Sequence, residues 1–290
     1  MSTAPPPSAT ATLLVSCSDR RGIVAALGQL LYGHGANILH ADQYSDAASG
    51  QFFQRIQFDM SELHTDRHTL ERAVDEVAER FAMRHHIAYG EQRKRVALLV
   101  SKYDHCMHDL LWRTASGELP CDIPLVISNH ADLAPLAAQY NIPFFHLPVT
   151  KETKAQQEAA VVEHLEQFDI DLVVLARYMQ ILSTPFCERY RERLINIHHS
   201  FLPAFIGSRP YHRAHERGVK IIGATAHYAT GDLDEGPIIE QDVVRVSHSD
   251  TVNDLIRKGR DLERLVLARA IRLHLQDRVL VHQNKTVIFE

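Results

Sequence analysis

Cysteine is scarce in this chain of 290 residues. Cys17, Cys106, Cys121 and Cys187 form no CxxC pair and no short framework, so they read as free thiols of a reducing compartment. No apolar run reaches membrane length. No dense basic run is present, and the formal net charge is -5, so nucleic acid is not expected as a partner. The chain lacks a Gly-x-Gly-x-x-Gly run, the mark of a nicotinamide-dependent dehydrogenase. It also lacks His-Glu-x-x-His. Histidine is plentiful at 19 residues, but His212 and His215 stand three apart without a Cys or carboxylate set nearby, so no metal is expected. Residues 1–12 carry Pro5-Pro6-Pro7 and no basic stretch followed by an apolar one. A disordered tail over 1–11 is expected rather than a secretory signal, and the cytoplasm as location.

What is present is ordinary globular composition, 45% hydrophobic and 23% charged, over a length that suits two domains. Two stretches concentrate the chemistry. Asn196-Ile197-His198-His199-Ser200-Phe201-Leu202-Pro203 follows an apolar run and stops at proline, which reads as a buried strand opening into a loop. In a parallel α/β sheet that end is where ligands bind. Asn196 and His198 lie two apart and share a face while the strand lasts. Leu233-Asp234-Glu235-Gly236-Pro237 supplies a carboxylate from a loop. Taken singly, each residue reads better as a cap, a satisfied polar group or turn chemistry. Together Asn196, His198 and Asp234 suit work on a carbonyl: hydrogen bonds to its oxygen, oxyanion stabilisation and proton movement.

Residues 12–90 read as strand, helix, strand, strand, helix, strand, the βαββαβ ferredoxin-like order. Thr12–Cys17 is the first strand, and Asp19 is placed to cap the helix whose apolar positions begin at Ile23. Residues 91–95 are polar and read as a linker. From Val96 to Glu290, strands and helices alternate, which predicts a doubly wound, mostly parallel sheet. Asp132 is expected to cap the helix that ends at Tyr140, and Ser249 a long helix that reaches about Leu275. Phe205 to Tyr211 reads as a loop beyond the site, and Val279–Val281 with Thr286–Phe289 as a terminal hairpin.

The second half resembles the formyltransferase family that uses 10-formyltetrahydrofolate. The resemblance rests on Asn196-Ile197-His198, Ser200, Leu202-Pro203, Gly207, the strand into His227 and Leu233 to Ile239. It covers residues 95–285, and it places the family's active-site Asn, His and Asp on Asn196, His198 and Asp234. It implies a folate-binding loop at Met179, Gln180, Ile181 and Leu182, where main-chain groups pair with the pterin ring; Met179 and Ile181 also fit plain core. Family members with a phosphorylated acceptor carry a glycine-rich loop where this chain has Ser101-Lys102-Tyr103-Asp104-His105. Bulky Tyr103 and His105 keep a phosphate from the backbone, so such an acceptor is disfavoured.

The first half resembles the ACT domain, on Asp19-Arg20-Arg21-Gly22-Ile23 and Gly35-Ala36-Asn37-Ile38. That resemblance implies a homo-oligomer and makes Asp19, Gly22, Asn37 and Ile38 candidate contacts for an amino-acid effector. In the competing reading Gly22 only permits a turn, Asn37 only caps, and the module only dimerises. An ACT-like module ahead of this catalytic domain resembles the deformylase branch of the family. It implies hydrolysis of 10-formyltetrahydrofolate to formate and tetrahydrofolate, in one-carbon metabolism and purine biosynthesis, with folate as substrate and no metal or tightly held cofactor. Formyl transfer to an amine and a non-catalytic folate sensor are the alternatives.

Overall fold

The computed structural model describes residues 9–204 and 209–290. Most of the expected tail, and residues 205–208 of the expected 205–211 loop with Gly207 among them, lie outside the described residues; Pro210 and Tyr211 are helical. The chain divides into two compact units. One comprises residues up to Arg93 with Gln276–His282 and Val287–Glu290; the other comprises Lys94–Leu275 with Gln283–Thr286.

The first unit runs β1 (Thr10–Ser18), α1 (Ile23–Gly33), β2 (Asn37–Asp46), β3 (Gln51–Asp59), α2 (Arg67–Phe81) and β4 (Arg84–Tyr89). Its sheet is ordered β2-β3-β1-β4. Leu13, Val15, Ile56 and Phe58 fill one face and meet Ile23, Leu27 and Leu31 of α1 and Leu70 and Val74 of α2. The i, i+4 spacing on each helix is what brings these side chains to one stripe. β1 begins at Thr10, so Thr10 and Ala11, expected in the tail, are strand residues. Asp19 does not cap α1: Gly22 holds the N-cap position at φ 93°, with no side-chain bond. The helix starts four residues after Asp19, whose N–H instead donates to Gly50 O at 2.8 Å.

The second unit runs β5 (Lys94–Val100), α3 (His105–Ala115), β6 (Cys121–Ser128), α4 (Ala134–Gln139), β7 (Phe144–His146), α5 (Lys154–Gln167), β8 (Leu172–Leu175), α6 (Thr184–Arg189), β9 (Leu194–His198), α7 (Pro210–Arg217), β10 (Ile221–Tyr228), β11 (Ile238–Arg245) and α8 (Val252–Leu275). The strand order is β11-β10-β9-β8-β5-β6-β7. β5 to β9 pair in parallel, whereas β10 pairs antiparallel with both β9 and β11. The sheet is therefore mixed, with a parallel majority. Leu98, Leu99, Val126, Val173 and Val174 are fully buried, as continuous apolar strands covered on both faces must be. α5 and α6 pack Val161, Leu165 and Phe186 on one cluster with Ala97, Leu99 and Val173. α8 packs on β9, β10 and β11 and against α3.

Lys94 and Arg95, expected in the linker, belong to β5. Two cap expectations also shift. α4 starts from Leu133, not Asp132. Thr251, not Ser249, caps α8: its Oγ1 accepts from Asp254 N–H at 3.2 Å, while Asp254 Oδ2 accepts from Thr251 N–H at 3.0 Å. This reciprocal capping box satisfies two otherwise orphaned donors. After α8 come β12 (Val279–His282) and β13 (Lys285–Ile288), the expected hairpin. Its outer segments group with the first unit, where Leu280, Val287 and Phe289 pack on Leu14 and Phe53.

Candidate active site

β9 is a buried inner strand, and its last residues carry the polar side chains into a cavity of about 500 Å³. Asn196, His198, His227 and Asp234 share its wall with Met179, Gln180, Ile181 and Leu182. The antiparallel register sets Asn196 opposite His227 and His198 opposite Thr225. A register irregularity in the β10–β11 pairing falls between Ala226 and His227, a kind of break that commonly re-aims a side chain beside a site.

The loop after β10 brings in the carboxylate. Asp234 sits at φ 59°, a left-handed conformation that Asp and Asn tolerate better than most residues. The loop closes tightly because residue 236 is glycine: a Cβ there would stand 1.8 Å from the Tyr228 carbonyl oxygen. Asp234 Oδ1 lies 3.2 Å from His198 Nδ1 and 3.7 Å from His227 Nε2. Burial pushes the Asp234 carboxyl up, but its hydrogen bond to His198 more than offsets this and holds the group well below the usual carboxylate range. The ionised carboxylate only accepts, so His198 presents Nδ1–H to it. His198 Nε2 is buried and has no hydrogen-bond partner among the described residues.

His227 was not singled out as a functional residue by sequence. Its Nδ1–H donates to Tyr228 O at 3.0 Å, and Nε2 meets Asn196 Nδ2 at 3.2 Å. With Nδ1 donating, Nε2 of the neutral ring accepts from the Asn196 amide. This fixes the amide and leaves its second N–H and its oxygen for a ligand. The alternation of Thr225 and His227 on one strand face was the available signal; the register that pairs His227 with Asn196 was not legible.

Of the 179–182 loop, Leu182 packs on the core cluster, but Met179 and Ile181 do not. Met179 is 52% and Ile181 59% exposed, both at the cavity. Ser101 Oγ anchors one end, accepting from Met179 N–H at 3.0 Å and donating to Asn129 Oδ1 at 2.6 Å. One main-chain donor of the loop is thus already engaged. Beyond the other end, Ser183 N–H donates to Glu158 Oε1 at 3.0 Å. The expected effector residues belong to the first unit. Asp19 and Gly22 lie on the exposed β1–α1 turn, and Asn37 and Ile38 on the exposed start of edge strand β2.

A second polar cluster lines the same cavity: His105, Arg177, Tyr211 and Glu263. Glu263, 1% exposed, accepts from Tyr211 Oη at 2.6 Å and from His105 Nε2 at 2.8 Å, and lies 3.4 Å from Arg177 Nε. Burial pushes the Glu263 carboxyl up, yet His105 and Arg177 more than offset this and hold it low. His105, Cys106 and Glu263 bring three metal-ligating atoms within 4.8 Å of one another. Their chemistry does not suit a divalent cation. Complete burial pushes the Cys106 thiol well up, so it keeps its proton, and the carboxylate already serves an arginine, a tyrosine and a histidine. No helix among the described residues is long and apolar enough to cross a membrane.

Comparison with known proteins places this geometry. Residues 94–271 match the Formyl transferase family and residues 11–81 the ACT domain. A formyltetrahydrofolate deformylase of Synechocystis sp. is 60% identical over 280 residues, 97% of this chain and 98% of that protein. One from Bacillus subtilis is 51% identical over 96% of this chain and 93% of its own length. The crystal structure of a formyltetrahydrofolate deformylase from Pseudomonas syringae superposes with a TM-score of 0.95 at 49% identity, covering 97% of this chain and 94% of that one. The α/β fold with an ACT module ahead of a seven-stranded mixed sheet, and the close likeness over nearly the whole length, lead to one conclusion: the chain belongs to the formyltetrahydrofolate deformylase family.

Proposed function

We propose that this protein hydrolyses 10-formyltetrahydrofolate to formate and tetrahydrofolate. The observation that carries the reading is the buried Asp234–His198 pair, whose outer imidazole nitrogen is unpartnered beside Asn196 in a cavity shared with the 179–182 loop. The folate ring lies along that loop, with the formyl carbon at Asn196, His198 and Asp234. Water attacks that carbon, and Asn196 Nδ2–H and His198 stabilise the oxyanion. A carboxyl held as low as that of Asp234 is a weak base by itself. The proton lost by water therefore goes to the Asp234–His198 pair, with Asp234 orienting the water, rather than to Asp234 alone. The pair returns the proton to the leaving nitrogen as the C–N bond breaks, giving formate and tetrahydrofolate. No step calls for a metal or cofactor.

The likeness to deformylases supports water over an amine acceptor. A cytoplasmic location is part of this reading, and the four free cysteines support it. A homo-oligomer and an amino-acid effector at the ACT module remain part of this reading. Edge strand β2, exposed along both faces with Ile38, Leu39 and Tyr44 outward, supports self-association. The deciding assay is formate release from 10-formyltetrahydrofolate with and without added amines. Stoichiometric formate is expected in both. Formylated amine without formate points to a transferase, and folate binding without either product points to a sensor.

A further inference from the structure

α8 carries a glycine where a helix interior gains nothing from one. Gly259 is the eighth residue of α8, and glycine in a helix interior is disfavoured relative to alanine. The reason is Tyr211. A Cβ at residue 259 would stand 2.0 Å from Tyr211 Oη. The missing side chain is the notch through which Tyr211 reaches Glu263, four residues further along the same helix face. Glu263 in turn holds His105 at the start of α3 and Arg177 after β8. The Arg177 guanidinium also lies 5.2 Å from the Tyr103 ring centroid, and that of Arg260 lies 5.6 Å from it. One carboxylate thus ties α3, α7, α8 and the loop after β8 into a single wall of the cavity.

That wall adjoins the reacting groups. The His199 ring lies 5.2 Å from that of His198 and 6.0 Å from that of Tyr211. With folate along 179–182 and its formyl carbon at Asn196, a second acceptor has to use the room the Glu263 cluster fills. Two tyrosine rings take up volume there. Glu263 balances the charge of Arg177, which leaves the Arg260 guanidinium beside Tyr103 to repel an amine that arrives as its ammonium form. Water, small and uncharged, is not hindered by either. We propose that the Glu263 cluster, with the Gly259 notch that completes it, is the specificity-determining element that reserves the formyl carbon for water. This rests on the hydrolytic reading above.

The chemistry separates the two outcomes. With water, a C–O bond forms, the C–N bond to folate breaks and formate leaves. With an amine, a C–N bond forms to the new nitrogen, which gives its proton to the departing folate nitrogen. The test uses the full chain with formyl-labelled substrate and saturating glycinamide or hydroxylamine, with enzyme-free controls. Formate and formylated amine are counted by NMR for the parent, Glu263→Gln, Gly259→Ala and Tyr211→Phe. The parent should release formate alone. In the variants the share of formylated amine should rise about tenfold or more, as expected when a pocket loses a discriminating contact. Tyr211→Phe removes one oxygen and keeps the ring, so it remains informative if the other two fail to fold. Folded, folate-binding variants that release formate alone, or that lose all turnover, overturn the proposal. So does a parent that already formylates the amine. A parent that releases no formate in the absence of amine overturns the hydrolytic reading instead.

Discussion

Asp234 is the residue at which charge and backbone can be separated. It occupies φ 59°, which asparagine tolerates as readily. Asp234→Asn should therefore leave the loop in place and remove only the charge. Steady-state formate release should fall about a hundredfold or more, with KM little changed. A loss under about threefold would remove the carboxylate from the proton path. His227→Ala tests positioning. It frees the Asn196 amide, and kcat should fall by about tenfold or more, with partial recovery in His227→Gln, which again offers an acceptor to that amide. Asn196, His198 and Asp234 were legible because short local motifs carry them. His227 and Glu263 were not: their parts depend on which strand faces β9 and on where α8 crosses the cavity, and no local spacing encodes either.

At the scale of elements, β9 and the loop that leaves it are held by one hydroxyl. Thr225, fully buried and opposite His198, donates to Ser200 O at 2.9 Å. The same oxygen accepts from Leu202 N–H at 3.1 Å and from Gln241 Nε2 at 2.8 Å. Thr225→Val preserves shape and leaves those donors and that acceptor unsatisfied. It should cost about 1–3 kcal/mol in denaturant unfolding and lower kcat through His198. Gly236→Ala should act more severely on activity, because the new Cβ collides with the Tyr228 carbonyl and shifts the loop that carries Asp234. Helices and strands themselves were legible from periodicity. Their caps were less so, because a cap depends on the first helical residue. Asp19, Asp132 and Ser249 were plausible by type, but each helix begins two or more residues beyond them, and only the Thr251–Asp254 spacing shows the reciprocal box.

For the whole molecule, the order of two domains was legible, but the return of the chain's end to the first unit was not. An apolar hairpin of four-residue strands carries no address in its pattern. Phe289 is 4% exposed against Leu14 and Phe53, so Phe289→Ala should cost about 3–5 kcal/mol. Hydrogen exchange should then quicken across β1 and β3 while β5 to β9 keep their protection. Acid should act on the second unit through two rings that the fold keeps neutral. Burial, joined by the charges of Lys94 and Arg193, pushes His274 down to about 3 from 6.5, and burial with the Arg177 charge does the same to His199. Between those values the unfolded chain binds more protons than the folded one. Stability is therefore complete above about pH 6.5 and is lost progressively as pH falls toward 3. From pH 7 to 5 the loss should be about 1–2 kcal/mol per histidine, the lower figure allowing for the part of each ring that water reaches. His274→Gln retains a partner for Tyr228 Oη, which lies 2.8 Å from His274 Nδ1, and removes one titration. Denaturant midpoints across that range should fall less steeply in the variant. Equal slopes in parent and variant would show that the ring of His274 already takes its proton in the folded state.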